Sequence, residues 1–425
     1  MNNLNLKSTD RRDFLAHAAK TFLGVSILPA ALQAAEASSP KKGKAKRVIY
    51  LYMAGGMSHL DTFDPKPENR AVRGPVQAIK TAIPGVQFTE YVPRLAKQAK
   101  KFATVRSLVS TQGAHEQGTY FMHASYTLRG TIRHPGLGAW IQKLDGVHNE
   151  RLPANVSIGG GSRGIGAGFM ESKYAPLAIG DPKQGLQNSK RPRMVSESVF
   201  EDRLALANAF DRKFHAKYNL KQVRAYQDMY SDAVRLMQSE DLAVFDINKE
   251  TKAMRESYGE NNFGQGCLLA RRLIENDVRF VEVTSGGWDT HTNNFTSVQD
   301  KAAELDQALS TLLDDLESKG LLDETLVVVA TEFGRTPEIN SNDGRDHSPT
   351  GFSCLLAGGG IAGGQVYGAT DEDGKYATEN EVEVPQFNAT IAHALNLPLD
   401  EIVMSPSGRP FTVAHKGKPV MDLFG

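Results

Sequence analysis

Six side chains in a row, Val48-Ile49-Tyr50-Leu51-Tyr52-Met53, are apolar or aromatic, and Ala54-Gly55-Gly56 closes the run. A continuous apolar stretch ended by glycines predicts a strand buried on both faces that enters a tight loop. Phe102 to Leu108 and Val278 to Val283 read the same way. Thr325-Leu326-Val327-Val328-Val329-Ala330-Thr331 is the clearest strand, because β-branched residues fill it. Between these runs the period changes. Ala302, Leu305, Leu309, Leu312, Leu313 and Leu316 fall at helical spacing within Ala302 to Lys319, and Gly320 is placed to stop that helix. Asp202 to Leu242 also reads as helical, with charges interleaved, and Gly159 to Gly168 reads as a loop. Buried strands alternating with helices predict an α/β fold, with a central, mostly parallel sheet and helices on both faces.

Ligands of an open parallel sheet bind beyond the carboxyl ends of its strands. The chemically capable residues cluster at those ends. Ser58, His59, Asp61 and Asp64 follow the first strand, and His115, Glu116 and His123 follow the second. Gly286 to Asn294, with Asp289 and His291, follows the third. Glu332 to Thr336 and then Gly344 to Ser348, with His347, follow the fourth. Any one of these is explained by a cap, a turn or a satisfied loop hydrogen bond, and Asp64, His134, His148, His215 and His415 are read that way. Four independent loops that all collect imidazoles and carboxylates point to a shared site. Imidazole and carboxylate donors together suit Zn, Mn or Fe-type divalent ions. Such an ion polarises a phosphoryl or sulfuryl oxygen and lowers the pKa of its water. The expected ligand set is Asp61, His115, Asp289, His291, Glu332 and His347.

Composition narrows the picture. The chain has 40% hydrophobic and 23% charged residues, as a globular protein does. Its 49 basic and 49 acidic residues cancel, which removes a general electrostatic case for nucleic acid. No segment after the N-terminus is apolar for long enough to span a bilayer. Cys267 and Cys354 make no disulfide scaffold and have no zinc-finger spacing, although a single bridge between them stays open.

The N-terminus has its own logic. Arg11 and Arg12 stand in Ser8-Thr9-Asp10-Arg11-Arg12-Asp13-Phe14-Leu15, an apolar stretch runs from Phe22 to Leu32, and small residues gather at Ala34, Ala35 and Ala37. That order predicts a twin-arginine signal peptide over 1–37, a basic tether over 38–46 and a folded domain over 47–425. A periplasmic or secreted location follows.

The motifs also carry a resemblance. Gly55-Gly56-Met57-Ser58-His59-Leu60-Asp61-Thr62-Phe63-Asp64-Pro65-Lys66-Pro67 is one carrying segment, and Gly286 to Phe295 is another. Thr331-Glu332-Phe333-Gly334-Arg335-Thr336-Pro337 and Gly344-Arg345-Asp346-His347 complete them. The chain resembles the exported bacterial family catalogued as domain of unknown function 1501, placed in the alkaline-phosphatase and sulfatase superfamily. The resemblance covers about residues 47 to 425. It implies an alkaline-phosphatase/sulfatase-like domain and a divalent-metal hydrolase of phosphate or sulfate esters, small or polymeric. The superfamily's first strand ends in a metal-binding carboxylate. Here that turn has none, and Asp61 is the nearest substitute. The superfamily's nucleophile opens a helix that ends in a small pair, and counting back from Ala124-Ser125 puts His115 in that slot. Asp289 and His291 resemble the metal-binding Asp and His pair, and Thr331-Glu332 takes the place of Asp-His or Asp-Asn after the penultimate strand. Asp346-His347 resembles the last His motif, and Phe387 to Ile391 the late helix. Arg335 would clamp the anion, since a guanidinium forks onto tetrahedral oxyanions. The sulfatase signature, Cys or Ser followed by x-Pro-x-Arg, is absent. An exported binding protein that keeps the fold without the nucleophile is the alternative. A redox partner ranks below both, because no haem or iron–sulfur motif is present.

Overall fold

The first apolar run is strand β1 (Arg47–Met53), and each of its residues is buried. A computed structural model describes residues 42–160, 165–187, 189, 191, 194–218 and 230–425. The signal segment, Lys41, part of the 159–168 loop and residues 219–229 of the long helical stretch lie outside the described residues. A helix enters that stretch from five residues earlier, spanning Glu197–Lys217, and residues 230–237 are helical again.

In chain order the elements around the sheet are β2 (Phe102–Val109), α1 (His115–Ala124), α2 (Leu137–Asp145), β3 (Asn155–Ile158) and β4 (Leu177–Ile179). They continue with α3 (Asn262–Glu275), β5 (Phe280–Ser285), α4 (Asn294–Ser318), β6 (Thr325–Ala330) and β7 (Phe352–Ala357). β8 (Gln365–Tyr367), β9 (Val382–Glu383) and α5 (Val384–Ala394) follow. The strand order is β8-β2-β7-β6-β1-β5-β3-β4, with β9 also paired to β2. β1 is central and runs parallel to both neighbours, Val48 opposite Phe280 on β5 and opposite Leu326 on β6. β7 is antiparallel to β2 and to β6, and every other pairing is parallel.

Side-chain alternation along β1 divides the core into two layers. Ile49, Leu51 and Met53 pack on one face with Leu268 of α3 and Leu305, Leu309 and Leu312 of α4. Val48, Tyr50 and Tyr52 pack on the other with Trp140 of α2 and Ile391 of α5. The fold is therefore the α/β arrangement that the apolar runs predict, with helices on both faces of a mostly parallel sheet. Cys267 lies in the first layer and Cys354 in the second, and both are free and buried. Among the described residues, no helix is long and apolar enough to cross a membrane.

Residues 42–46 belong to the segment read as a solvated tether. Their lysines do face solvent, yet their backbone joins the fold. Ala45 N–H donates to Ala394 O (2.9 Å), Lys46 N–H donates to Glu324 O (2.8 Å), and Gly43 and Ala45 are buried.

The parallel topology puts the loops after β1, β2, β5 and β6 at one edge of the sheet. Gly55, at φ +121°, lets two of them touch: a Cβ there would sit 2.4 Å from the backbone N of Asp289.

Candidate metal centre

α1 begins with His115 at its first turn and ends at Ser125, whose φ of 62° closes the helix in the left-handed conformation. The short loop after β2 thus delivers an imidazole to the sheet edge. Asp289 comes from the loop after β5, beyond Gly286-Gly287. His347 comes from a two-residue antiparallel pair, Arg335 opposite His347, that folds the loop after β6 back on itself.

The three side chains meet. His115 Nε2 lies 3.2 Å from Asp289 Oδ2, and His347 Nε2 lies 3.3 Å from Asp289 Oδ1. His115, Asp289 and His347 form a group able to hold a metal ion. His291 adjoins it, with Nε2 at 3.1 Å from Asp289 Oδ1 and 3.0 Å from His347 Nε2.

The other nitrogen of each ring is tied down. His115 Nδ1–H donates to Glu332 Oε1 (2.8 Å), His347 Nδ1–H to Gly113 O (2.9 Å) and His291 Nδ1–H to Asp346 Oδ1 (2.7 Å). Each acceptor is a carbonyl or an ionised carboxylate, so Nδ1 holds a proton in each ring, and it is the neutral form of the ring that offers the Nε2 lone pair to a metal. An imidazole anchored at Nδ1 is the usual state of a metal-ligating histidine. His115 Nε2 is buried with no hydrogen-bond partner. Ligand atoms around a tetrahedral ion with bonds of about 2.0–2.1 Å sit roughly 3.3 Å apart. The two imidazole–carboxylate distances lie near that value, and one donor atom from each of the three residues falls within 4.8 Å of the others, so the donor set suits a divalent ion.

Charge around the cluster is uneven. Burial would raise the Asp289 carboxyl, but the Arg335 guanidinium, with His115 and His347, holds it at about 2. The bond to Glu332 raises the His115 pKa first, against burial, and the Glu332 and Asp289 charges add to it. Burial lowers His347, and the Arg335 and His115 charges push the same way. Phe333 walls the cluster, its ring 5.1 Å from that of His115 and 4.4 Å from that of His347. On the open side is a cleft of about 760 Å³ lined by Gly159, Gly160, Gly286, Gly287, Thr284 and Glu116.

Three expected roles change. Asp61 does not join the cluster. Its carboxylate is fully buried and accepts from Arg345 Nε (2.8 Å), Arg345 Nη2 (3.1 Å), Asn294 Nδ2 (2.9 Å) and Ser58 Oγ (2.6 Å). Glu332 stands behind His115 and not among the converging atoms. Its Oε1 also takes the Gly55 N–H (2.9 Å), and its Oε2 takes the Tyr52 hydroxyl (2.8 Å). Arg335 is no anion clamp. It is fully buried and donates to Gly56 O (2.8 Å), Arg345 O (2.9 Å), Gly55 O, Trp288 O (3.1 Å) and Asp289 Oδ1 (2.7 Å). It lashes the loops after β1, β5 and β6 together. His59 is buried too, with Nε2 donating to Gly374 O at 2.7 Å.

Arg345 and Asp346, which the sequence places in the motif of His347 without a role of their own, support the cluster from behind. Arg345 also donates to Val72 O (2.5 Å) and Pro337 O (2.7 Å), which fixes the loop that carries His347. The only available signal was their position directly before His347.

A search of curated proteins finds no match. Among solved structures, a sulfatase from Pseudoalteromonas sp. is similar at 15% identity and a TM-score of 0.36, over 81% of this chain and 68% of its own. A phosphonate monoester hydrolase from Silicibacter pomeroyi is similar at 12% identity and a TM-score of 0.40, over 89% and 76%. A protein of the alkaline phosphatase superfamily from Vibrio parahaemolyticus is similar at 10% identity and a TM-score of 0.38, over 89% and 70%. Likenesses at this level say nothing about individual residues or substrates. The family profile described as "Protein of unknown function (DUF1501)" matches residues 45–424, and the chain belongs to that family.

Proposed function

We propose that this protein is an exported, metal-dependent hydrolase of phosphate or sulfate esters. One observation carries the reading: three imidazoles anchored at Nδ1 aim Nε2 at, or beside, one ionised carboxylate. His115, Asp289 and His347 would hold the ion, with His291 as a further donor. A divalent ion bound there supplies Lewis-acid polarisation of an ester oxygen. The chain does the rest. Glu332 and Asp346 orient rings, and Arg335 keeps Asp289 ionised. Phe333 excludes water from one side, and the glycine-lined cleft admits a bulky ester.

A second reading is a binding protein that keeps the fold without hydrolysis. It is favoured by the residue that opens α1, an imidazole with Nδ1 held by Glu332 and Nε2 facing Asp289, where a nucleophile would need to be free.

Metal analysis of purified, chelator-treated and reconstituted protein, run beside a panel of phosphate and sulfate esters, tests both readings. Turnover that is lost with chelator and restored by metal supports the hydrolase. Stoichiometric metal without turnover supports the binding protein. Protein that takes up no metal contradicts both the site and the hydrolase. Export is tested separately. Changing Arg11 and Arg12 to Lys should strand the precursor in the cytoplasm, and normal export of that variant would overturn the twin-arginine assignment.

A further inference from the structure

At the far end of α1 from His115 lies a second cavity, of about 470 Å³. The segment after the helix, from Tyr126 to His134, forms one wall, and the chain from Ile402 to Lys416 forms the other. Its base is a stack of rings. Tyr126 lies parallel to His134, with centroids 4.4 Å apart and planes at 9°, and His415 packs against Tyr126 at 4.2 Å. Phe411 stands edge-on to both Tyr126 (5.4 Å) and His134 (4.9 Å). The Tyr126 hydroxyl donates to Thr412 O (2.8 Å) and accepts the Thr412 N–H (3.1 Å), which pins the two walls together.

The rim is cationic. Arg129, Arg409 and Lys416 line the pocket, and no carboxylate does. Among the described residues none of the three has an ion-pair partner. The rings do not neutralise or extend this charge: burial first, then the His415 and Arg129 charges, lower the His134 pKa to about 4. The backbone at the rim is strained. Ala414, His415 and Lys416 have φ of 56°, 49° and 62°, three consecutive non-glycine residues in the left-handed region. Such strain gathers at ligand-binding sites. This segment carries His415 and Lys416, both exposed, into the pocket lining.

We infer that this pocket binds an organic anion with a ring face, seated on Phe411 and His415, with its charge met by Arg129, Arg409 and Lys416. The shared chemistry is a sulfate, phosphate or carboxylate carried on an aromatic or a sugar ring. A guanidinium forks onto such oxyanions, and the aromatic faces bury the ring. Exposed Ile402, at 59% relative accessibility, adds an apolar edge.

Calorimetric titration with inorganic sulfate, benzenesulfonate and glucose 6-sulfate tests this. The ring-bearing anions should bind more tightly than sulfate. Benzenesulfonate binding better than the sugar marks an aromatic ligand, and the reverse marks an anionic sugar. Arg409→Ala should weaken both ring anions about tenfold, the loss expected of one hydrogen bond to a charged group. Arg129→Ala should do the same. Both side chains are exposed, so folding is not at risk, and circular dichroism checks it. His347→Ala should leave the affinities unchanged, which separates this pocket from the metal centre. No binding by either ring anion, equal binding of sulfate and ring anions, or unchanged affinity in both arginine variants would overturn the inference.

Discussion

Asp61 and Asp289 sit in loops at the same edge of the sheet, and their surroundings are opposites. Asp61 is fully buried, and every group near its oxygens is a donor: two guanidinium nitrogens, an amide and a hydroxyl. Asp289 is 45% exposed at its side chain, where it meets the Arg335 guanidinium and the Nε2 atoms of His115, His291 and His347. A carboxylate saturated by donors has no lone pair left for a cation and serves as an anchor. A half-exposed carboxylate ringed by imidazole nitrogens keeps donor atoms that a metal ion could take up, which is the role proposed for it. The two residues are alike in sequence, and only their partners separate the anchor from the proposed ligand.

The largest effect expected from this contrast is on stability. Arg345→Ala would leave the Asp61 carboxylate buried and unpaired, a loss of about 3–5 kcal/mol. Urea denaturation of the metal-free protein measures it. A loss below about 1 kcal/mol would mean that Asp61 is not the anchor described.

A smaller effect belongs to the support of the rings. Asp346→Ala removes the acceptor from His291 Nδ1 and should weaken metal binding about 10–100-fold, as is typical for groups that orient a ligand. Unfolding in urea should scarcely change, since Asp346 is exposed. Competition with a chromogenic chelator reads the affinity, and an unaltered value would remove His291 from the site.

The smallest effect is a pH dependence with opposite signs in the two states. The His115 pKa is raised in the folded, metal-free protein. Its contribution to stability is therefore fully present below the reference value of about 6.5 and is lost as pH rises through the folded pKa. A metal needs the neutral ring, so the stabilisation brought by zinc grows as pH rises. Thermal melts with and without zinc from about pH 5 to 8 should show the gap in Tm widening upward. A gap that narrows as pH rises would exclude His115 as a ligand.

Much of the fold is legible in the chain because the central strands are buried on both faces. β1 and β6 stand out as unbroken apolar runs, and the structure starts and ends them within one residue of the expected bounds. β5 begins at Phe280 and not at Val278, because Val278 N–H still bonds Leu273 O at the end of α3. β3 and β7 escape the reading: one has only four residues, and the other carries Ser353 and Cys354 within its apolar run. α4 starts eight residues before Ala302, at Asn294, since its first turn is held by polar contacts. Asn294 accepts from Thr290 Oγ1 (2.6 Å) and donates to Asp61 (2.9 Å).

The site is legible only as a set of loops. Periodicity placed His115, Asp289, His291 and His347 at one sheet edge, and the structure brings those four together. The roles of Asp61 and Arg335 were hidden because their partners are remote in the chain. Arg345 lies 284 residues from Asp61, and Asp289 lies 46 from Arg335. No local pattern reports which carboxylate a buried guanidinium will claim. His415 reads as an ordinary loop residue for the same reason, as its ring partner Tyr126 is separated from it by most of the chain.

The account rests on one claim, that His115, Asp289 and His347 hold a divalent ion. Zinc titration of chelator-treated protein, wild type beside His347→Ala, addresses it directly, with circular dichroism to confirm that both are folded. The account predicts a single tightly held ion per wild-type chain and an affinity weakened by well over about 100-fold in the variant. Equal, substoichiometric zinc in both proteins would contradict it and leave the cluster as a set of polar groups that order the loops.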